Sequence, residues 1–197
     1  MSTRNRAPHR RRLSREERRR QLLDVAGTIV RRQGSEALTL AYLANEAGVS
    51  KPIAYDHFGS RTGLLADLYR EYDDRQNKLM EAAIASAPAD LESRAKVIAD
   101  SYVECVLAQG REIPGVSAAL SGSPDLEAIR NEYEAVFMEK LRSALAEFSN
   151  GGGIALPALR AVLGAAEALS FAAARGEISE GDAKQELTKA IRALARR

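Results

Sequence analysis

Tryptophan is missing from this sequence, aromatic residues make up only 5% of it, and one cysteine and two histidines are spread over 197 residues. A single thiol excludes an internal disulfide framework and suits a reducing compartment. His9 and His57 are far apart and Cys105 has no His or Cys neighbour, so no residues stand at metal-ligand spacing and neither metal nor cofactor is expected. A nucleophile elbow, a phosphate-cradling glycine loop and the zinc-binding HExxH pattern are also absent, which leaves an enzyme without sequence support. No apolar run approaches the ~20 residues needed to cross a bilayer, and the arginine-rich start is not followed by an apolar segment of the signal-peptide kind. The expected location is therefore the cytoplasm, with no membrane partner.

What is present is helical. Hydrophobic residues make up 45% of the chain, mostly Ala and Leu, a composition that favours closely packed helices and an all-α fold. The net charge of +2 conceals an asymmetry: the first 60 residues carry 12 Lys or Arg against 6 Asp or Glu, and the rest carry 17 against 21. A small basic module on an acidic body is the footprint of a nucleic-acid binder whose body does not itself adhere to phosphate.

The basic module contains Thr39–Phe58, TLAYLANEAGVSKPIAYDHF. Leu40, Leu43, Ala44 and Ala47 recur at helical spacing, with Thr39 in front as a cap. Gly48 can take the left-handed conformation that closes a helix, and Val49 can then drop into a core. Ser50 is placed to cap a second helix through its hydroxyl, and Pro52 falls in the first turn, where backbone N–H groups have no helical partner. This is a helix-turn-helix unit, whose second helix can enter a DNA major groove.

Thr39, Leu43, Ala44, Ala47, Gly48, Val49, Ser50, Ala54, Tyr55, His57, Phe58, Ser60 and Arg61 together follow a pattern that resembles the DNA-binding domain of the TetR family of bacterial transcriptional regulators. The resemblance covers roughly residues 15 to 75. It implies an N-terminal three-helix DNA-binding domain (14–60) and a larger helical ligand-binding and dimerisation domain (61–197). It also implies that Tyr55 and His57 bond DNA phosphates, that Thr39 does so besides capping, and that exposed residues of the reading helix, from Ser50 through Lys51, Pro52 and Ile53, meet bases or phosphates. Pro52 and Ile53 offer apolar contact to a thymine methyl. Two departures stand out. Tyr42 replaces an acidic residue that would complete a capping box, and Asp56 puts a carboxylate where phosphate is expected. Asp56 can accept from a cytosine amine, pair with a nearby Arg, or point away.

Residues 1–13, with Arg10, Arg11 and Arg12 at their end, are too polar to fold alone. They are either a solubilising tail or an arm on phosphates or in the minor groove, and their position beside the reading unit favours the arm. Helix 1 is predicted to begin at Ser14 with Glu17 closing a capping box, and to stop at Gly34. Arg18, Arg19 and Arg20 read as a solvated face, with contact of one of them to backbone phosphate as the alternative.

Ser60 can cap a long helix carrying Leu64, Leu65, Leu68, Tyr69 and Tyr72, which ends near Ala87–Ala89. The next helix is predicted to stop at Gly110. Ser123 and Pro124 open another, with Val136 among its inward residues, and Gly151–Gly153 form a loop before helices at 156–174 and 179–196. Tyr102, Cys105, Tyr133, Phe137 and Phe171, with Glu104 beside them, put polar tips or aromatic faces on apolar segments and are the candidate ligand-binding residues. The 161–174 segment, AVLGAAEALSFAAA, is apolar nearly all round and rich in small residues. A monomer can bury such a helix at its centre, but the resemblance favours a four-helix homodimer interface built from the last two helices.

The resulting reading is a dimeric regulator, a repressor of a pseudo-palindromic double-stranded operator released by a small-molecule effector. Rivals are an activator or ligand-independent regulator of the same fold, an enzyme using the helical body as a pocket, and a sequence-neutral DNA binder.

Overall fold

The computed structural model describes residues 13–149 and 153–195; the candidate arm residues Arg10, Arg11 and Arg12 lie outside these. Every regular element among the described residues is helical. Nine α-helices follow in order: α1 Arg15–Gln33, α2 Leu40–Glu46, α3 Lys51–Phe58, α4 Arg61–Ser86, α5 Leu91–Glu112, α6 Val116–Leu120, α7 Pro124–Leu145, α8 Leu156–Ala174 and α9 Glu180–Ala195. Short 3-10 turns occupy Ser35–Ala37 and Ala146–Phe148.

Local chemistry fixes most boundaries. Glu17 N–H donates to Ser14 Oγ at 3.1 Å, and Ser14 N–H donates to the Glu17 carboxylate at 2.7 Å, the reciprocal box predicted for α1. Thr39, Ser60, Asp90 and Ser123 cap α2, α4, α5 and α7 through their side-chain oxygens. At α9, Asp182 N–H donates to Ser179 Oγ at 3.0 Å, while that hydroxyl donates to the Asp182 carboxylate.

Four local expectations are corrected. The Ser50 hydroxyl makes no cap bond. Pro52 has no N–H to offer it, and Ile53 N–H is already taken by the Ser50 carbonyl at 3.0 Å. Gly110 does not end α5, which runs to Glu112, because a glycine in a paired helix costs only about 1 kcal/mol. Val136 lies outward, 36% exposed, while the inward row of α7 runs through Phe137, Met138 and Leu141. Finally, α8 has the length and composition to cross a bilayer, with 19 residues of mean hydropathy 1.3. Its Leu159, Val162, Leu163 and Ala166 face is instead buried against neighbouring helices of the body.

Two cores result. The first joins α1–α3 to the start of α4 and to α6 and the start of α7, with Leu22, Leu38, Leu43, Leu64 and Leu65 almost wholly buried. Each such leucine contributes about 1.5–3 kcal/mol of burial. The second joins α5, α8 and α9 to the later part of α7 and to Met80 of α4. Helix α4 enters both. Its 26 residues rise about 39 Å, so it is a rigid rod that runs directly from the end of the helix-turn-helix into the body.

Candidate nucleic-acid interface and ligand cavity

In the helix-turn-helix, Gly48 takes φ +65° and Val49 N–H reaches back to Ala44 C=O at 2.9 Å, closing α2 and turning the chain sharply into α3. Ala54 and Phe58 face the core, so Lys51, Pro52, Tyr55 and Asp56 are exposed on the other side of α3. Ile53 and His57 lie half-buried between the two faces. Tyr55 is half exposed, an amphipathic ring on the outer side of the helix. Thr39 is exposed, and its Oγ1 accepts from Tyr42 N–H at 3.1 Å; its own hydroxyl proton remains available to a phosphate. Tyr42, the residue that breaks the capping box, accepts a hydrogen bond from Gln33 at 2.9 Å and so ties α2 to the end of α1. Asp56 has no ion pair among the described residues.

His57 meets a cluster that sequence reading did not assemble. Its pKa is lowered, chiefly by burial and then by the charges of Arg15 and Arg19, with Arg18 acting in the same direction and Asp56 against it. The ring is therefore neutral at pH 7, and the start of α1 supplies positive charge beside the reading helix. Arg15, Arg18 and Arg19 stand at i, i+3 and i+4, the spacing that could have shown they share one face. Arg19 also pairs with Asp67 of α4 at 2.9 Å, which anchors this edge to the long helix.

The start of α4 is locked onto the helix-turn-helix. Arg61 donates to Leu38 C=O at 2.9 Å and to Ser35 C=O at 2.8 Å, so this motif arginine is a structural clamp. Gly63 lets α4 pass under α3; a β-carbon there would lie 2.3 Å from Phe58 C=O.

Farther along α4 a cavity of about 180 Å³ opens between α4, α5, α7 and α8. Tyr102, Cys105, Tyr133, Phe137 and Phe171 all line it, and the rings of Tyr102 and Phe137 pack tilted at 60°, 4.7 Å between centroids. Glu104 is not among the lining residues. It is exposed and pairs with Lys184 at 2.6 Å. Sequence reading missed the α4 wall of Tyr69, Asp73, Gln76, Asn77 and Met80, and the polar contributions of Gln109, Arg130, Glu134 and Glu167. The helical spacing 69, 73, 76, 80 was the available signal.

Burial governs the chemistry of the cavity. The Asp73 carboxyl is pushed up to about 7, first by burial and then by the neighbouring Asp74 charge. Burial and then Asp73 push Cys105 up to about 12, so its thiol stays protonated and unreactive. Tyr69 likewise rises to about 12. Tyr133 is raised by burial and by its bond to Asp74; its hydroxyl lies 2.8 Å from that carboxylate.

On the outside of α8, Leu156, Pro157, Ala161, Gly164, Ala168 and Phe171 form an exposed apolar stripe, with Leu156 and Phe171 54% and 46% exposed. Helix α9 differs. Its Ala183, Leu187, Ile191 and Leu194 row is already buried, and Gln185, Glu186 and Lys189 face outward.

Residues 22–68 match the family described as bacterial regulatory proteins, tetR family. The chain is 35% identical over 92 residues to the HTH-type transcriptional regulator BetI of Brucella suis biovar 1, a match covering 47% of this chain and 46% of BetI. It thus spans less than half the length of the curated relatives it matches. Over the whole fold it is similar to a transcriptional regulator of the TetR/AcrR family from Thermobifida fusca YX-ER1, with a TM-score of 0.66, 23% identity, and 91% of this chain and 99% of that one covered. The multidrug binding protein EbrR, solved in complex with ethidium, gives a TM-score of 0.65 at 21% identity over 88% of this chain and 98% of EbrR. These two likenesses show a shared fold.

Proposed function

We propose, from the match of residues 22–68 to the tetR family of bacterial regulatory proteins, that the chain is a dimeric, ligand-responsive transcriptional repressor of that family working in the cytoplasm. The 14–60 head reads DNA, and the 61–197 body binds effector and pairs with a second copy. Lys51, Pro52, Ile53 and Tyr55 meet the major groove, Thr39, Ser50 and His57 meet phosphate, and the 1–13 arm with Arg10, Arg11 and Arg12 adds backbone contacts. Two heads on one dyad read half-sites about 34 Å apart. The second copy packs on the exposed stripe of α8, with α9 at its border.

The observation that carries this reading is the continuity of α4. One helix is clamped to the head at Arg61 and lines the cavity from Tyr69 to Met80. A molecule that fits the cavity better at one tilt of α4 shifts the dimer toward the matching head spacing. DNA must then weaken effector binding by the same factor. EbrR, of like fold, holds ethidium, which supports a small-molecule role for a body of this kind.

Selection of bound sequences from a random duplex pool at physiological salt tests the proposal. Enrichment of a palindrome with half-sites one turn apart is expected. Uniform recovery of all duplexes would make the chain a sequence-neutral binder, and a single unpaired half-site would remove the dimer.

A further inference from the structure

The cavity is unequally charged. Arg130, the one cation among its lining residues, pairs with Glu167 at 3.4 Å, and Glu134 pairs with Arg160 at 2.5 Å. Asp73 has no ion pair and no hydrogen bond among the described residues. Its neighbours do not supply one. Tyr133 turns its hydroxyl to Asp74 and Arg70 C=O, and Arg70 and Arg75 pair with Asp67 and Glu112. Asp73 thus faces a half-open cavity without a counter-charge, a cost that it meets by keeping its proton or that a guest bringing positive charge removes.

The rest of the lining suits the same kind of guest. Tyr69, Tyr102, Tyr133, Phe137 and Phe171 surround the space. The negative faces of aromatic rings attract cations, most strongly where water is excluded. An anion would meet Asp73 and find its only cation already paired.

We propose that the cavity takes an organic monocation with a flat body, its positive group against Asp73 and its body among these rings. This rests on the reading of the cavity as the effector site and narrows it to a charge class.

The same groups predict a proton signature. On α4, Asp74 is engaged by Tyr133, and Tyr69 lies near 12. On α5, Cys105 lies near 12 and Tyr102 is raised further by burial. On α7 and α8, Arg130, Glu134 and Glu167 are ion-paired and Tyr133 is raised. Asp73 is the group left to titrate near neutrality. A bound cation stabilises the carboxylate, so binding releases a proton below pH 7 and tightens as pH rises through that value.

Benzamidine, benzamide and benzoate carry charges of +1, 0 and −1 on one planar skeleton. Their binding to the full chain is measured by calorimetry and ligand-observed NMR at pH 8. Benzamidine is expected to bind about tenfold or more tightly than benzamide, with benzoate weakest. Asp73→Asn should bring benzamidine down to the level of benzamide, and Asp73→Glu should restore the preference. In the unaltered protein, calorimetry at pH 6.5 in buffers of different ionisation heat should report proton release, which tests the idea even if the variants fold poorly. Tighter binding of benzamide or benzoate overturns the cation inference and leaves an effector site of another charge class. A preference for benzamidine that survives Asp73→Asn places the cation elsewhere and also overturns it. Binding of none of the three overturns both the inference and the effector reading of the cavity.

Discussion

A β-carbon on Gly115 would stand 2.7 Å from the Oγ of Ser35, so the turn before α6 and the turn after α1 touch with no room between them. Ser35 is 5% exposed, and its carbonyl accepts from Arg61 at 2.8 Å. The residue that seats α4 on the helix-turn-helix therefore also bears on the body. Gly115 has φ +73°, a conformation that only glycine adopts cheaply.

Gly115→Ala is expected to destabilise the protein by about 1–3 kcal/mol, from the contact and the backbone strain together. Adding Ser35→Ala should recover the part due to the contact and leave the strain. Denaturant unfolding of the three variants measures both. Full loss in the double variant would mean that the close approach carries none of the cost. Operator affinity should fall with Gly115→Ala beyond what unfolding explains, because the head is pushed off its seat.

Tyr55 tests the reading face. Its ring is half exposed and belongs to neither core nor the cavity lining, so Tyr55→Ala should leave dimerisation and melting nearly unchanged while costing about 1–3 kcal/mol of operator binding. Fluorescence anisotropy on the selected palindrome decides it. Unaltered affinity would move the interface off α3.

Much of this arrangement was legible in sequence because it is local. The Ser14–Glu17 box, the Thr39 and Ser123 caps and the Gly48 turn each depend on residues a few positions apart. That Tyr102, Tyr133 and Phe137 line the cavity was legible because rings on apolar segments turn inward; Cys105 lines it without a ring, and Phe171 lines it while 46% exposed. Asp73 was not legible. It sits in a run of Glu71, Tyr72, Asp73, Asp74 and Arg75, and such a run reads as solvated. The spacing 69, 73, 76, 80 puts Asp73 on one row with Tyr69 and Met80, but that this row lines a cavity depends on how α5 and α7 lie against α4, which the spacing alone does not encode. Gly63 was missed for a like reason, since its constraint is a carbonyl from the preceding helix.

Asp73 also makes stability depend on pH. Its folded pKa, about 7, lies above its ordinary value of 3.8, so between these the folded protein binds the extra proton. The stability this contributes is complete below about pH 4 and is lost as pH rises through 7. Between pH 6 and 8 the empty protein should lose about 1 kcal/mol from this group, and Asp73→Asn should remove that loss. His57 acts oppositely, since its lowered pKa costs stability as pH falls, so the difference between wild type and variant is the quantity to follow. Chemical denaturation at both pH values measures it. Equal slopes for the two proteins would show that Asp73 is charged and solvated when the cavity is empty.

Phe171 links the cavity to the proposed dimer face. It lines the cavity and yet is 46% exposed on the same stripe as Ala161, Gly164 and Ala168, so a partner lying on α8 would also cover the cavity mouth. The small residues allow close approach of a second helix, and a β-carbon at Gly164 meets nothing within 4 Å in the single chain. Ala168→Arg places a charge in the middle of that stripe while touching no residue of the single-chain core. Sedimentation velocity should then show a monomer where the proposed dimer is expected of the parent protein, with helicity retained. The monomer should also bind benzamidine more weakly, because Phe171 and the cavity mouth stay open to water. Weakened dimerisation with unchanged benzamidine affinity would separate the two roles and confine Phe171 to the interface.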